Sequence, residues 1–410
     1  MNLVTISSDA IRIGFPLPFT LRDAGGVLLA PKGYVVRTQA ALEQVITQRG
    51  QLFIDVTESE AHRRAYVNQL RELVQDDIPL GQIAESQFSS FEAVQALNKD
   101  VDGEPDWLSL QEQAHTMLRD KNAASFLKRL DELQRQLNHH AQRNPDGTLF
   151  ALTYLTSSEL RMYSATHAML VAVMCSLAAR DMLKWPESQE ATLCKAALTM
   201  NLGMTELQDR LAQQKEPPNP EQRRQVEQHP VRSVVLLEQL GVIDQAWLES
   251  VLDHHSKTPG PLAPRTAGQQ MARLIQRADL FAACLAPRAA RLPATPAMAM
   301  QACYFDENRE IDEAGAALVK TMGIYSPGSF VRLQTNELAV VIRRGANTTT
   351  PRVAIVVNRS GMPTADFIVR DTRLPEFKIV ASVPHREIKV QINLERMLVL
   401  TKTVASDKPW

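Results

Sequence analysis

Cysteine is scarce in this chain, with four in 410 residues. Cys175, Cys194, Cys284 and Cys303 form no CxxC pair and sit in helix-like apolar surroundings. This argues against a disulfide framework and for small buried thiols in a reducing compartment. An excess of one charge is lacking too. With a net charge of -1, attraction of the whole molecule to nucleic acid is not expected. Long hydrophobic runs are missing: the apolar stretch at 168–179 falls short of the ~20 residues that cross a bilayer, so no membrane insertion is expected. No basic region followed by an apolar core opens the chain, so a cytoplasmic location is the expectation. Nucleotide-binding and zinc-protease signatures such as GxxxxGK(S/T), GxGxxG and HExxH are absent. So are GxSxG and the protein-kinase set.

What is present is ample apolar material, 44% of residues, enough for buried cores. The expected fold class is mainly α, with a central helical bundle flanked by small β-rich modules at both ends. The expected divisions are 1–57, 58–147, 148–323 and 324–410. In the first, 11–13, 27–30 and 52–54 read as strands, with a helix opened by Thr38 and stopped by Gly50. In the second, a mostly helical connector, Phe126, Leu130, Leu133 and Leu137 share one stripe, which reads as a packing seam. His139 and His140 follow near a helix end, where imidazoles face the dipole. Asn144, Pro145, Asp146 and Gly147 read as a turn between divisions. From 324 on, apolar runs at 330–333, 338–342 and 353–357 alternate with turn residues, as in a small antiparallel sheet or barrel. Charge is uneven: 55–110 is acidic and 324–410 basic. Arg343, Arg344 and Arg352 are therefore candidates for holding an anionic nucleotide.

The chemistry gathers in 196–279. His229 precedes Pro230 where an apolar helical run begins, and His254 and His255 end another helix. His255 continues the apolar face of Leu248, Val251 and Leu252. Asp279 lies among Leu274, Ile275, Leu280 and Phe281, where a carboxylate needs a partner such as Arg277 or a histidine. Singly, these are caps or buried polar groups. Together, three histidines and an aspartate at element ends look like part of a metal site.

In the order of these residues the region resembles the HD-GYP domain, a branch of the HD metal-dependent phosphohydrolases that hydrolyse cyclic di-GMP in bacterial signalling. The resemblance runs over roughly 149–322. It assigns His229, His254, His255 and Asp279 as metal ligands. Elsewhere the pattern is broken. Tyr163 stands where a first histidine belongs, with His167 one helical turn later as a substitute. Met200 and Asn201 replace a His-Asp doublet, and Met204 replaces a lysine. The Gly-Tyr-Pro loop is reduced to a proline-rich 259–264 without tyrosine.

The resemblance implies iron- or manganese-type ions sharing a hydroxide, about 3.5–4 Å apart in a two-metal mechanism. A carboxylate bridges such a pair, whereas the neutral amide of Asn201 is a poor bridge for hard cations. The Met200 thioether is too soft a ligand, and Met204 removes a charge that would face phosphate. The expectation is thus a degenerate HD-GYP-like signalling protein, a catalytically inactive regulatory or interaction scaffold with a protein partner. No cofactor is expected; if one binds, it is an iron- or manganese-type divalent ion, and cyclic di-GMP is the candidate ligand. The alternative is an active cyclic di-GMP phosphodiesterase with an altered ligand set.

Overall fold

The computed structural model describes residues 3–6, 17, 20–23, 28–30, 36, 51–55, 105–120, 122–158, 160–286, 294–364, 368–388, 390 and 392–402. The chain divides into two compact units, Met1–Glu104 and Pro105–Trp410. In the first, β1 (Leu3–Ile6), β2 (Leu21–Arg22), β3 (Leu28–Ala30) and β4 (Leu52–Asp55) form an antiparallel sheet in the order β1-β4-β2-β3. The strand expected at 11–13, the helix after Thr38 and most of the connector lie outside the described residues.

The second unit opens with α1 (Trp107–Arg119), α2 (Ala123–Arg143), α3 (Pro145–Ser158) and α4 (Tyr163–Ala178). It continues with α5 (Glu187–Thr199), α6 (Thr205–Gln213), α7 (Pro220–Gln239), α8 (Gln245–Asp253) and α9 (Ala267–Leu285). Two shorter helices follow, α10 (Pro296–Tyr304) and α11 (Glu313–Met322). The expected seam on α2 is real: Phe126, Leu130, Leu133 and Leu137 are all buried. Every residue of α4 is buried, as expected for a helix that is apolar on all sides. With the π-helical turn that extends it to Leu183, it reaches 21 residues and is long and apolar enough to cross a membrane. However, 78% of that apolar window lies inside the fold, so core burial accounts for the composition.

Local chemistry sets the helix ends. Lys184 adopts a left-handed conformation (φ 56°) just before Pro186, and α5 starts at the next residue. Asn219 and Gln222 form a capping box at the start of α7, with Pro220 in the first helical position, where its missing N–H is harmless. Thr266 and Gln269 do the same for α9. The segment from Asn144 to Gly147, expected as a turn, is instead a tight junction between two helices. Pro145 begins α3, and the Asn144 side chain accepts from the Gly147 N–H at 2.9 Å. Asparagine and proline favour a helix start as readily as a turn.

The C-terminal sheet contains β5 (Phe330–Leu333), β6 (Leu338–Arg343), β7 (Arg352–Val357), β8 (Val369–Asp371) and β9 (Ile379–Val383). It is antiparallel, in the order β8-β7-β6-β5-β9. Alternation splits it into two buried faces. Phe330, Val340, Ile342, Ala354 and Val356 pack with Phe150 of α3 and Met397 of α12 (Leu394–Thr401). Val331, Ala339, Val341, Val353 and Ile355 lie on the other face with Tyr325 and Phe377. The arginines proposed for anion binding are engaged within the fold. Arg344 pairs with Asp146 at 2.6 Å and Arg352 with Asp371 at 2.5 Å, while Arg343 reaches the Lys402 carbonyl at 3.4 Å.

A buried ionic cluster ties α9 to α11. Arg273 lies 2.7 Å from Asp312 and 2.8 Å from Glu307, and Arg277 lies 3.2 Å from Glu307. Asp312 also caps α11 by accepting from the Gly315 N–H at 2.8 Å. Asp312→Ala removes one of the two carboxylates on the buried Arg273 guanidinium while Glu307 stays, so urea unfolding should show a loss of about 1.5–3 kcal/mol. The hydrogen bond from Arg273 holds Glu307 down at about 2, against an ordinary 4.5, although burial opposes it. Its stabilisation is whole above the unfolded value and fades as pH falls from 4.5 towards about 2. Urea midpoints of wild type and Glu307→Gln should converge across that window.

Candidate metal centre

The N-terminus of α4 has no side-chain cap of its own. Asp209 of α6 supplies one, accepting from the Ser164 N–H at 2.7 Å while Arg119 of α1 holds its other oxygen at 2.9 Å. This fixes the turn that carries Tyr163 and His167. His167 is 1% exposed, and its Nε2–H donates to Asp279 Oδ1 at 2.7 Å. The Tyr163 hydroxyl lies behind the ring, 3.4 Å from Nδ1. Both nitrogens of His167 are therefore occupied. Burial works against ionisation of Asp279. The His167 hydrogen bond, with the imidazoles of His255 and His254, outweighs it and holds the carboxyl well below the usual range.

His229 and Pro230 lie inside α7, not at its start as the sequence suggested. Proline has no N–H, so the carbonyl four residues earlier, that of Val226, loses its helical donor. The His229 Nδ1–H donates to that carbonyl instead. His254 solves a similar problem at a helix end. α8 stops at Asp253, leaving the Val251 carbonyl in its last turn without an intrahelical partner. His254 Nδ1–H donates to it at 2.6 Å. With both protons held on Nδ1, the two Nε2 atoms turn to each other and stand 3.0 Å apart.

His255 completes the group, its ring centroid 4.1 Å from that of His254 and 5.0 Å from that of His229. One ligand atom from each of the three histidines falls within 4.8 Å of the others. His229 and His254 are buried and His255 is exposed, the reverse of the expectation for the last pair. Because the helix ends at Asp253, its inner face continues through His254. Burial, then the charge of His255, lowers His229 to about 4. Burial, then His255 and His229, lowers His254 to about 3. Both are neutral near pH 7, the form in which imidazole binds metal.

The turn after α5 lies against α7. Ser233 Oγ donates to the Met200 carbonyl and accepts from the Gly203 N–H, each at 2.9 Å. A Cβ at 203 would come within 2.8 Å of the His229 carbonyl, so glycine permits this approach. Met200 is fully buried and Met204 half-buried. Asn201 is buried, and its Oδ1 accepts no hydrogen bond from any described residue.

The structure thus gathers His229, His254 and His255, and pairs Asp279 with His167. It sets Tyr163 behind that pair and Met200, Asn201 and Met204 in the turn against α7. Arg277, the other partner considered for Asp279, is held by Glu307. Pro230 went unrecognised as a source of a free carbonyl, although a His-Pro pair inside a helical pattern carries that signal. The donor set does not fit a hydroxide-sharing pair of hard ions. Among the described residues, the group holds no carboxylate oxygen, Asp279 Oδ1 accepts from His167, and the doublet position offers a neutral amide. Three neutral imidazoles do fit a single ion. Asp279→Ala leaves a buried His167 N–H without an acceptor, and urea unfolding should show a loss of about 1–3 kcal/mol.

Comparison with known proteins bears on this geometry. Residues 149–315 match the HD domain family. Cyclic di-GMP phosphodiesterase PA4108 of Pseudomonas aeruginosa is 25% identical over 245 residues, 58% of this chain. The match also spans 58% of that relative, less than two thirds of its length. Among solved structures, Bd1817, a HDG"Y"P protein from Bdellovibrio bacteriovorus, aligns over 77% of this chain and 98% of its own. Its TM-score is 0.41 and its identity 15%. Residues 149–315, the helical centre of this chain, are thus similar to HD domains.

Proposed function

We propose that the protein is a degenerate HD-GYP-like signalling protein in bacterial cyclic di-GMP pathways. It acts as a catalytically inactive regulatory scaffold and passes its signal to a protein partner. The observation that carries this reading is Asn201. Its side-chain oxygen is buried and unpaired at the position where a bridging carboxylate is needed. An amide cannot offset the mutual repulsion of two divalent ions as an anionic oxygen does. Asp279 stands apart from the three-imidazole group, and one of its oxygens accepts from His167. The similarity to a cyclic di-GMP phosphodiesterase supplies the signalling context, and cyclic di-GMP is the first ligand to test.

The three-imidazole cluster favours the second reading, an active phosphodiesterase with an altered ligand set. One experiment separates them. Full-length protein purified without chelator is incubated with cyclic di-GMP and with its linear product, alongside metal analysis. No turnover above a protein-free blank is expected. The double substitution Met200→His with Asn201→Asp should raise the metal bound per chain. Turnover by the wild-type protein that disappears in His254→Ala would reject the inactive scaffold.

A further inference from the structure

A cavity of about 250 Å3 opens where the end of α8, the loop 256–266 and α9 meet, and none of the three histidines lines it. Its walls include Pro259, Pro261 and Pro264 together with Asp253, Gln269 and Arg273. The loop is held in shape before anything binds. Arg265 donates to the carbonyls of Thr258, Pro261 and Gly260 at 2.6, 3.0 and 3.1 Å. Glu313 accepts from the Leu262 N–H at 2.9 Å, and Gln276 donates to the Ser256 carbonyl at 2.7 Å. Prolines fix their own φ angles, so little ordering is left to oppose a ligand.

Asp253 is out of keeping with this frame. As the last residue of α8, it puts negative charge at the negative end of the helix dipole. Glu249, four residues earlier on the same helix, repels it. Its carboxylate takes no hydrogen bond or ion pair from any described residue. The cations nearby are spent, Arg273 on Asp312 and Glu307 and Arg265 on its own loop. A group that works against local stability at the edge of a preformed cavity is characteristic of a functional site. The volume falls below the ~300–1,000 Å3 of pockets that take whole drug-sized ligands, and it suits one long side chain. A nucleotide is too large and of the wrong sign. An apolar group would desolvate Asp253 without giving it a partner. A guanidinium binds a carboxylate through two parallel hydrogen bonds, and its alkyl stem packs on proline rings.

We propose that this cavity receives an arginine side chain of a protein partner, with Asp253 as the anion that binds it. The proposal rests on the scaffold reading for the existence of a partner and adds the chemistry of its contact. The test is a calorimetric titration of the full chain with three probes: a blocked pentapeptide of one arginine among alanines, its citrulline counterpart, and agmatine. The arginine peptide should bind once per chain with a Kd below about 1 mM. The citrulline peptide, matched in shape but uncharged, should bind at least about tenfold more weakly. The arginine peptide should lose at least about tenfold in affinity for Asp253→Asn. That variant's thermal midpoint should hold or rise, because the repulsion from Glu249 and the conflict with the dipole are gone. In the wild type, raising salt from about 50 to about 500 mM should weaken the arginine peptide about threefold or more, a readout that needs no variant. No saturable binding, equal binding of the citrulline peptide, a lowered midpoint or wild-type affinity in Asp253→Asn would each overturn the proposal. Agmatine bound without the peptide would give the cavity to a free cation and overturn it as well. A failed titration without turnover of cyclic di-GMP sinks the docking site and leaves the inactive scaffold standing. Arginine-peptide binding accompanied by turnover supports the docking site and rejects that scaffold.

Discussion

Two neutral rings that meet nitrogen to nitrogen impose a constraint on everything around them. Each is pinned from behind by a backbone carbonyl without a helical donor, one freed by Pro230 and the other by the end of α8. The backbone therefore decides which nitrogen is available, and side-chain packing decides where it points. The helices that carry these rings are held in turn by contacts with no chemistry of their own. Ser233 clasps the turn after α5, and the Trp247 indole donates to Thr199 Oγ1 at 3.0 Å, joining α8 to α5.

The charges are partitioned with equal care. His167 and Asp279 form one pair, and two and six residues earlier on α9 Arg277 and Arg273 form another group with Glu307 and Asp312. A single helix thus carries two ionic systems of different character. Its arginines are neutralised by the segment before α11, while its aspartate faces α4. Paired in this way, buried charge specifies how the helices register against one another as much as it adds stability.

Much of the architecture was legible in the sequence because local signals agreed with the fold. Phe126, Leu130, Leu133 and Leu137 lie on a helical period, Asn219 and Pro220 announce a helix start, and the runs at 330–333 and 338–342 alternate. The site was legible as an order of residues, while its pairings depended on tertiary geometry. Neither spacing nor charge says that Asp279 meets His167 from 112 positions away. His255 followed an apolar periodicity that stops with the helix, so the buried member of the pair is His254. α12 escaped notice because eight residues, LERMLVLT, suit a strand as well as a short helix.

Helix α3 serves two masters. Leu149 and Leu152 belong to the core of the helical bundle, and Phe150 between them belongs to the core beneath the C-terminal sheet. Asn144, at the head of the same helix, donates to Thr401 at 2.9 Å, and Asp146 binds Arg344. A chain severed after the last bundle helix would bare one flank of α3 and abandon those polar anchors. The sheet is thus masonry for the bundle, and displacing it would be felt along a rod that ends five residues before Tyr163.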